Sequence, residues 1–95
     1  MSKKFKIAHI NEQGVNLIIA PLDSAFDSKT TSQQREFTNW LQANAQSAGL
    51  AGSVIPVWLS GRQMKFIAPQ NYHAFFRSIS WNFVLSNLNK EITCK

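Results

Sequence analysis

Only a few side chains in this sequence could support acid–base, nucleophilic or metal chemistry. They are His9, His73, Cys94, Asp23, Asp27 and Glu36. A nucleophile needs a fixed base and a rigid seat, which Cys94 lacks because it stands one residue from the end of the sequence, where fraying is expected. His9 falls in an apolar run, where a structural, hydrogen-bonded or half-exposed histidine is expected. Asp23 and Asp27 lie in a polar stretch, where short acids bend the backbone through side-chain hydrogen bonds. These positions predict a protein that is not an enzyme.

The same scarcity applies to cofactor and metal sites. Two histidines and one cysteine, widely spaced, match no zinc-ligand pattern. The glycines stand at positions 14, 49, 52 and 61, where a turn or a helix end accounts for each, so there is no glycine-rich phosphate loop. The sequence therefore predicts no cofactor, no metal and no small-molecule ligand.

Basic and aromatic residues gather in the second half of the chain and form the candidate binding surface. Its members are Trp58, Arg62, Gln63, Lys65, Tyr72, His73, Phe76 and Arg77. Aromatic faces flanked by cations are the groups that stack on unpaired bases and contact phosphates. This favours a nucleic-acid-binding module centred on the second of two predicted hairpins, residues 53–68, and the loop after it. The competing interpretation is that Trp58 packs under a loop or on the second face of the sheet, while Arg62 and Lys65 are solvated.

Charge and composition favour a different partner. The formal net charge is +5, and residues 49–95 hold five basic side chains against one acidic side chain, Glu91. That asymmetry permits an anionic partner without requiring one. Only 16% of the chain is charged while 44% is apolar, so part of the apolar surface is expected to be covered by another chain. We therefore expect a small binding protein that acts through a homodimer or a protein-partner interface, with nucleic acid as the alternative.

Compartment follows from cysteine usage and hydropathy. A single cysteine excludes a disulfide within the chain and suits a reducing compartment. The longest apolar runs, residues 17–22 and 54–59, are far shorter than the ~20 residues of a membrane helix. The basic start at Lys3, Lys4 and Lys6 is not followed by a secretory apolar segment. The prediction is a cytoplasmic protein without membrane contact.

A repeated phrase indicates the architecture that must position these residues. Ile-Ala-Pro occurs at 19–21 and at 67–69, and an Ala-Phe pair follows each copy. The repeat predicts a single domain over residues 1–95, built from ββα units at 4–50 and 53–93. The predicted class is α+β, with an antiparallel four-stranded sheet, two helices on one face and a pseudo-twofold axis. A mixed sheet formed across a dimer is the structural alternative.

Turn residues place two hairpins in this plan. Residues 4–10 and 15–20 flank a polar turn, and we expect Ile10 to pair with Val15. Both faces of this hairpin are largely apolar, so it should lie in the middle of the sheet or be covered on both sides. Residues 53–59 and 62–68 flank Ser60-Gly61, which pairs Leu59 with Arg62. Pro56 lacks a backbone donor and predicts an edge position for its strand.

Helical periodicity and capping residues predict the rest. Thr31 and Gln34 fit a capping box that starts a helix near Thr31, and glycines end that helix after residue 48. Residues 71–92 are apolar on two opposite helical faces. Either the chain breaks near 78–80, with Ser80 capping a helix that begins at Trp81 and includes Ile92, or one long helix packs its second face on a partner. The repeat favours the break.

Overall fold

The computed structural model describes residues 3–94, which form an α+β fold with one mixed sheet of five strands. The strands are β1 (Lys3–Glu12), β2 (Val15–Pro21), β3 (Ser53–Ser60), β4 (Gln63–Phe66) and β5 (Lys90–Cys94). The helices are α1 (Thr31–Ser47), α2 (His73–Ser78) and α3 (Trp81–Ser86), with 3₁₀ turns at Ser24–Ser28 and Gln70–Tyr72. The strand order is β4-β3-β2-β1-β5. No helix in this described part of the chain is long and apolar enough to cross a membrane.

The pairing of β2 with β3 is parallel, whereas the other strand pairs are antiparallel. α1 lies between these two neighbouring strands in the chain, and a helical crossover returns the chain to the end of the sheet from which it started. Gly52 lets β3 begin close beside β2, since a Cβ at this residue (φ +123°) would lie 2.5 Å from the carbonyl oxygen of Asn16. The expected all-antiparallel sheet of four strands is therefore wrong.

Helices cover both faces of the sheet rather than one. On the first face, Ile7, Ile18 and Val54 pack with Leu41 and Ala45 of α1. On the second face, residues from the same strands pack against α2 and α3; this cluster contains Ala8, Leu17, Ile19, Ile55, Val57, Phe76 and Val84. The central position predicted for the first hairpin is confirmed by the strand order. Because both its faces are apolar, each needs its own helical layer, and the prediction of two helices on one face is wrong.

Both hairpins differ from their predicted registers by the same small slip. Val15 pairs with Glu12 instead of Ile10, and Gln63 pairs with Ser60. The first turn is Gln13-Gly14, in which both residues have positive φ, 51° and 82°, as a two-residue turn of type I′ requires. A slip of two residues leaves every side chain on its predicted face, since strand side chains alternate with a period of two.

Pro56 does not mark an edge strand. β3 lies between β2 and β4, and Pro56 is buried opposite Ala20 of β2. The β4 strand ends at Phe66, opposite Val57, and beyond it the Ile67 amide still donates to the Pro56 carbonyl at 3.1 Å. The missing donor of proline therefore falls where the β3–β4 ladder ends, and this position costs the sheet little.

Capping residues start the helices close to the predicted positions. α1 begins at Thr31 as expected, but its capping box is formed one residue earlier, by Thr30 and Gln33. The predicted break before Trp81 is confirmed: the Ser80 hydroxyl accepts a hydrogen bond from the Phe83 amide at 3.0 Å. The predicted two-faced helix is thus broken into two short helices, which are joined by the extended residues Ile79 and Ser80.

The end of α3 was predicted wrongly, because residues 90–94 form a strand. Asn89 docks this segment on β1: its side-chain amide accepts from the His9 amide at 2.8 Å and donates to the His9 carbonyl at 2.9 Å. In β5 the buried Ile92 and Cys94 alternate with exposed neighbours, which is a strand period. The second unit therefore ends in a strand at the far edge of the sheet, and the two halves of the repeat are not equivalent.

The α2–α3 layer can be tested with a matched pair of phenylalanines. Phe76 is 1% exposed against the sheet, whereas Phe83, one helix later, is 37% exposed. We expect Phe76→Ala to lower the free energy of unfolding by about 3–5 kcal/mol, since it opens a cavity in a packed core. Phe83→Ala should cost well under half of that. Urea unfolding followed by circular dichroism measures both, and equal losses would contradict this placement of the layer.

Candidate functional site

A groove of about 770 Å³ runs along the β4 edge of the sheet. We call it the edge groove. Its lining comes from the β3–β4 hairpin, α2, the start of α3 and Gln34 of α1. Seven of the eight residues in the predicted binding surface line it: Trp58, Arg62, Gln63, Lys65, His73, Phe76 and Arg77. Tyr72 lies instead in a separate depression of about 500 Å³ beside the first hairpin.

Two of these predicted residues are buried and support the groove from beneath. Trp58 is 4% exposed and Phe76 is 1% exposed. The Trp58 ring packs edge-on against Phe26 of the first 3₁₀ turn, with centroids 4.9 Å apart. This is the competing arrangement considered for Trp58, packed on the sheet beneath a loop. Neither ring presents a face on which a base could stack.

Asp27 joins the groove to the first 3₁₀ turn. Its Oδ1 accepts a hydrogen bond from the Trp58 indole Nε1 at 3.0 Å, and its Oδ2 accepts from the Ser60 hydroxyl at 2.9 Å. The Lys65 Nζ lies 3.3 Å from Oδ1. The hydrogen bonds from Trp58 and Ser60, followed by that from Lys65, lower the pKa of Asp27 below 3.8. The carboxylate thus connects the second hairpin to the first 3₁₀ turn, Ser24–Ser28.

Asp23 has the backbone-bending role predicted for both loop acids, and Asp27 has a different one. Asp23 bends the backbone as expected, since its carboxylate accepts from the Ala25 amide at 2.8 Å and caps the 3₁₀ turn. Asp27 makes side-chain contacts to the second hairpin instead. Its partners lie more than thirty positions away in the sequence, so no local pattern identifies this role.

Each of the two histidine side chains hydrogen-bonds to a backbone carbonyl in a loop. His73 Nε2 lies 2.8 Å from the Ala68 carbonyl oxygen, and its ring packs edge-on against Phe66 with centroids 5.2 Å apart. His9 Nε2 lies 2.8 Å from the carbonyl of Ala51. A carbonyl only accepts, so Nε2 carries the proton in both rings. Within residues 3–94 neither histidine is hydrogen-bonded to a carboxylate.

The remaining chemical candidates do not approach the edge groove. Cys94 is buried in the core on the α1 side, and burial raises the pKa of its thiol, which disfavours the reactive thiolate. Glu36 is exposed on α1. The described residues contain no group of three or more histidine, cysteine or acidic side chains that could hold a metal ion.

The groove wall is positive. Arg62, Lys65 and Arg77 line it, and no residue that lines it among those described is acidic. Lys65 forms an ion pair with Asp27, whereas Arg62 and Arg77 form no ion pair within residues 3–94. Cations along a concave wall raise the local concentration of an anionic ligand.

Several lining residues were not in the predicted surface. The remaining lining residues are Gln34, Leu59, Met64, Phe66, Ile67, Ile79, Ser80 and Trp81. Ser80 and Trp81 come from the break between α2 and α3, which the sequence located without indicating which edge of the sheet it would face. Gln34 comes from the other face, and only the tertiary fold brings it near β4.

Comparison with protein-family models, with curated proteins and with solved structures finds no match for this chain. Its function must therefore be argued from the geometry of its own residues.

The Asp27 contacts predict a pH dependence of stability. A carboxylate whose pKa is lowered on folding stabilises the folded state above its unfolded pKa, and that contribution is lost as the pH falls through the folded value. We expect Asp27→Asn to lower the thermal unfolding midpoint near neutral pH. The gap between variant and wild type should narrow below pH 3.8, the ordinary value for this group.

Circular dichroism measures the difference in thermal unfolding midpoint between wild type and Asp27→Asn from neutral pH to below pH 3.8. Glu36→Gln is the matched control, because Glu36 is exposed and makes no ion pair within the described residues. A gap between wild type and Asp27→Asn that stays constant down to the most acidic condition would contradict this role for Asp27.

Proposed function

We propose that this chain is a small, non-enzymatic binding protein whose partner is another protein and whose contact surface is the edge groove. One observation carries the proposal: a concavity of about 770 Å³ lies against an edge strand and is lined by three cations and no acid among the described residues. Binding surfaces combine such charges with aromatic and methionine side chains, and Met64, Phe66 and Trp81 supply them here.

Binding fits the site better than catalysis does. A general base must reach a proton on a bound substrate, and the ring nitrogen of His73 that lies in hydrogen-bond range is held by the Ala68 carbonyl. The carboxylate nearest the groove wall, Asp27, is occupied by Trp58, Ser60 and Lys65. The polar groups of the groove are thus arranged to hold a ligand rather than to move its protons.

A partner of different sequence suits the groove better than a second copy does. A twofold contact between two edge grooves would bring Arg62, Lys65 and Arg77 of each chain together, and like charges across an interface oppose association. The homodimer expected from the composition stays a prediction, and its contact would lie away from this edge.

Nucleic acid is the second candidate, favoured by the same cations. Trp81 and His73 are half-buried in the wall and offer partial ring surface. The stacking argument, however, relied on Trp58, Tyr72 and Phe76. Trp58 and Phe76 are buried, and Tyr72 lies outside the edge groove. A backbone-tracking groove without a stacking platform is a weak site for single strands.

The proposal includes a cytoplasmic location. Cys94 is buried as a free thiol, and a chain with a single cysteine needs no oxidising compartment to fold.

Selection of binders from a library of displayed random peptides tests the proposal. We expect peptides enriched on the wild-type protein to lose at least about tenfold in affinity for the double variant Arg62→Glu, Arg77→Glu, because two unpaired cations of the groove become anions. Fluorescence anisotropy of the enriched peptides measures the change.

The matched control is Lys6→Glu with Lys90→Glu, which makes the same change of net charge beside β5 at the opposite edge. It should bind like the wild type. Equal binding by both double variants, or no enriched peptide, would overturn the proposal. Tight, salt-sensitive binding of an oligothymidine of about ten nucleotides, lost only in the groove variant, would select the nucleic-acid candidate instead.

A further inference from the structure

We infer that the edge groove binds an extended, acidic segment of its partner as an additional strand paired with β4. This inference rests on the proposed function and goes beyond it, since it specifies the conformation, the charge and the backbone contacts of the ligand. Addition of a strand to an open sheet edge is a general mode of peptide recognition.

The backbone groups of β4 point alternately toward β3 and away from it. The Ile67 amide donates to the Pro56 carbonyl, so the backbone N–H and C=O groups of Ile67 point toward β3. In an antiparallel pair, alternate residues of one strand turn their N–H and C=O groups toward the partner strand. The backbone N–H and C=O groups of Lys65 and Gln63 therefore also point toward β3. Those of Met64 and Phe66 point away from it.

The outward groups of Met64 and Phe66 have no partner within residues 3–94. β4 is the last strand of the sheet on this side, and no hydrogen bond from another element reaches the N–H or C=O of either residue. Every residue from Arg62 to Ile67 lines the edge groove. Because alternate side chains of a strand lie on opposite sides of the sheet, the concavity follows the open edge of β4. Unpaired edge groups beside a groove are what an incoming strand requires.

The opposite edge of the sheet is less suited to this ligand. Beside β5 lies a shallower concavity of about 460 Å³, lined by Lys6, Leu88, Asn89, Lys90 and Glu91. Its charges are mixed, since Glu91 stands among the lysines and lies 3.9 Å from Lys4. An acidic strand would meet a carboxylate there, and at β4 it would meet none among the lining residues described.

Charge and face alternation define the ligand further. A strand added to β4 sends alternate side chains to the two sides of the sheet. On the α1 side it would meet Lys65 and Ile67, the latter 37% exposed. On the other side it would meet Arg77 and Trp81. Each side thus offers one cation and one apolar surface, which fits a segment that mixes acidic with β-branched residues.

The same geometry separates this ligand from nucleic acid. A polynucleotide can contact Arg62, Lys65 and Arg77 through its phosphates, but it has no repeating peptide N–H and C=O to pair with Met64 and Phe66. The unpaired backbone groups therefore favour a polypeptide over a single strand of nucleic acid.

A pair of variants at Met64 tests the strand pairing. Met64→Pro removes the outward N–H without touching the hydrogen bonds to β3, and proline is tolerated where an edge N–H faces solvent. Met64→Ala removes a similar amount of side-chain packing and keeps the N–H. The probe is a peptide of about eight residues, a typical strand length, in which two valines alternate with two glutamates, so that each side of the added strand carries both residue types. The same peptide with lysine in place of glutamate is its charge control.

We expect the acidic peptide to bind the wild type, and to bind Met64→Pro about tenfold more weakly than Met64→Ala. Both variants lose the Met64 side chain, but only Met64→Pro loses an interstrand hydrogen bond. Amide exchange by NMR gives a second readout in the wild-type protein, which decides the matter even if Met64→Pro does not fold. The acidic peptide should slow exchange at Met64 and Phe66 and leave Gln63 and Lys65 unchanged, while the lysine peptide should slow neither.

The outcomes separate this inference from the proposed function. Binding that is lost in the Arg62→Glu, Arg77→Glu variant but is equal in Met64→Pro and Met64→Ala, with no new amide protection, would overturn strand addition and leave a protein-binding groove. No binding of the acidic peptide to the wild type would also overturn the inference. Failure of the displayed-peptide selection would remove the proposed function itself.

Discussion

The parallel pairing of β2 with β3 is the constraint on which the rest of this structure depends. To make it, the chain must cross one face of the sheet, and α1 fills that crossover with Leu41 and Ala45 against the strands. The second hairpin then joins the sheet through β3, so β4 becomes an edge. The other face stays open for α2 and α3, whose buried Phe76 and Val84 cover it. The edge groove lies where these elements meet, between the second hairpin, α2 and the start of α3.

Local patterns in the sequence predict the elements and their faces well. The alternation in both hairpins assigns each side chain to the correct side even though both registers are displaced, because a displacement of two residues preserves the faces. The break at Ser80 is visible because a hydroxyl residue precedes an apolar helical pattern. What sequence reasoning missed is long-range. Treating the two Ile-Ala-Pro units as equivalent concealed that a helix between neighbouring strands favours parallel pairing, and Asn89 directs residues 90–94 to β1 through contacts eighty positions away.

Sequence reasoning predicted only part of the lining of the edge groove, and it did not predict the form of the groove. Arg62, Gln63, Lys65, His73 and Arg77 lie close together in sequence, so they line one groove once the hairpin and α2 fold. The burial of Trp58 depends on Phe26 and Asp27, which arrive from a 3₁₀ turn in the other half of the chain. An aromatic residue in a strand is equally compatible with a core and with a stacking surface, and only the covering element decides between them.

The pairing of β1 with β5 has a consequence for how the chain folds. Lys3 pairs with Cys94, so the strand that opens the described chain is completed by the strand that closes it. Closing so large a loop costs chain entropy before any contact repays it, and topologies rich in distant pairs fold slowly for this reason. The first hairpin and the α1 crossover can assemble from nearby segments, whereas the last strand can dock only on a β1 already held in place. Cutting the chain between its two similar halves would therefore give fragments that each lack a neighbouring strand, and the domain is expected to fold and unfold as one cooperative unit.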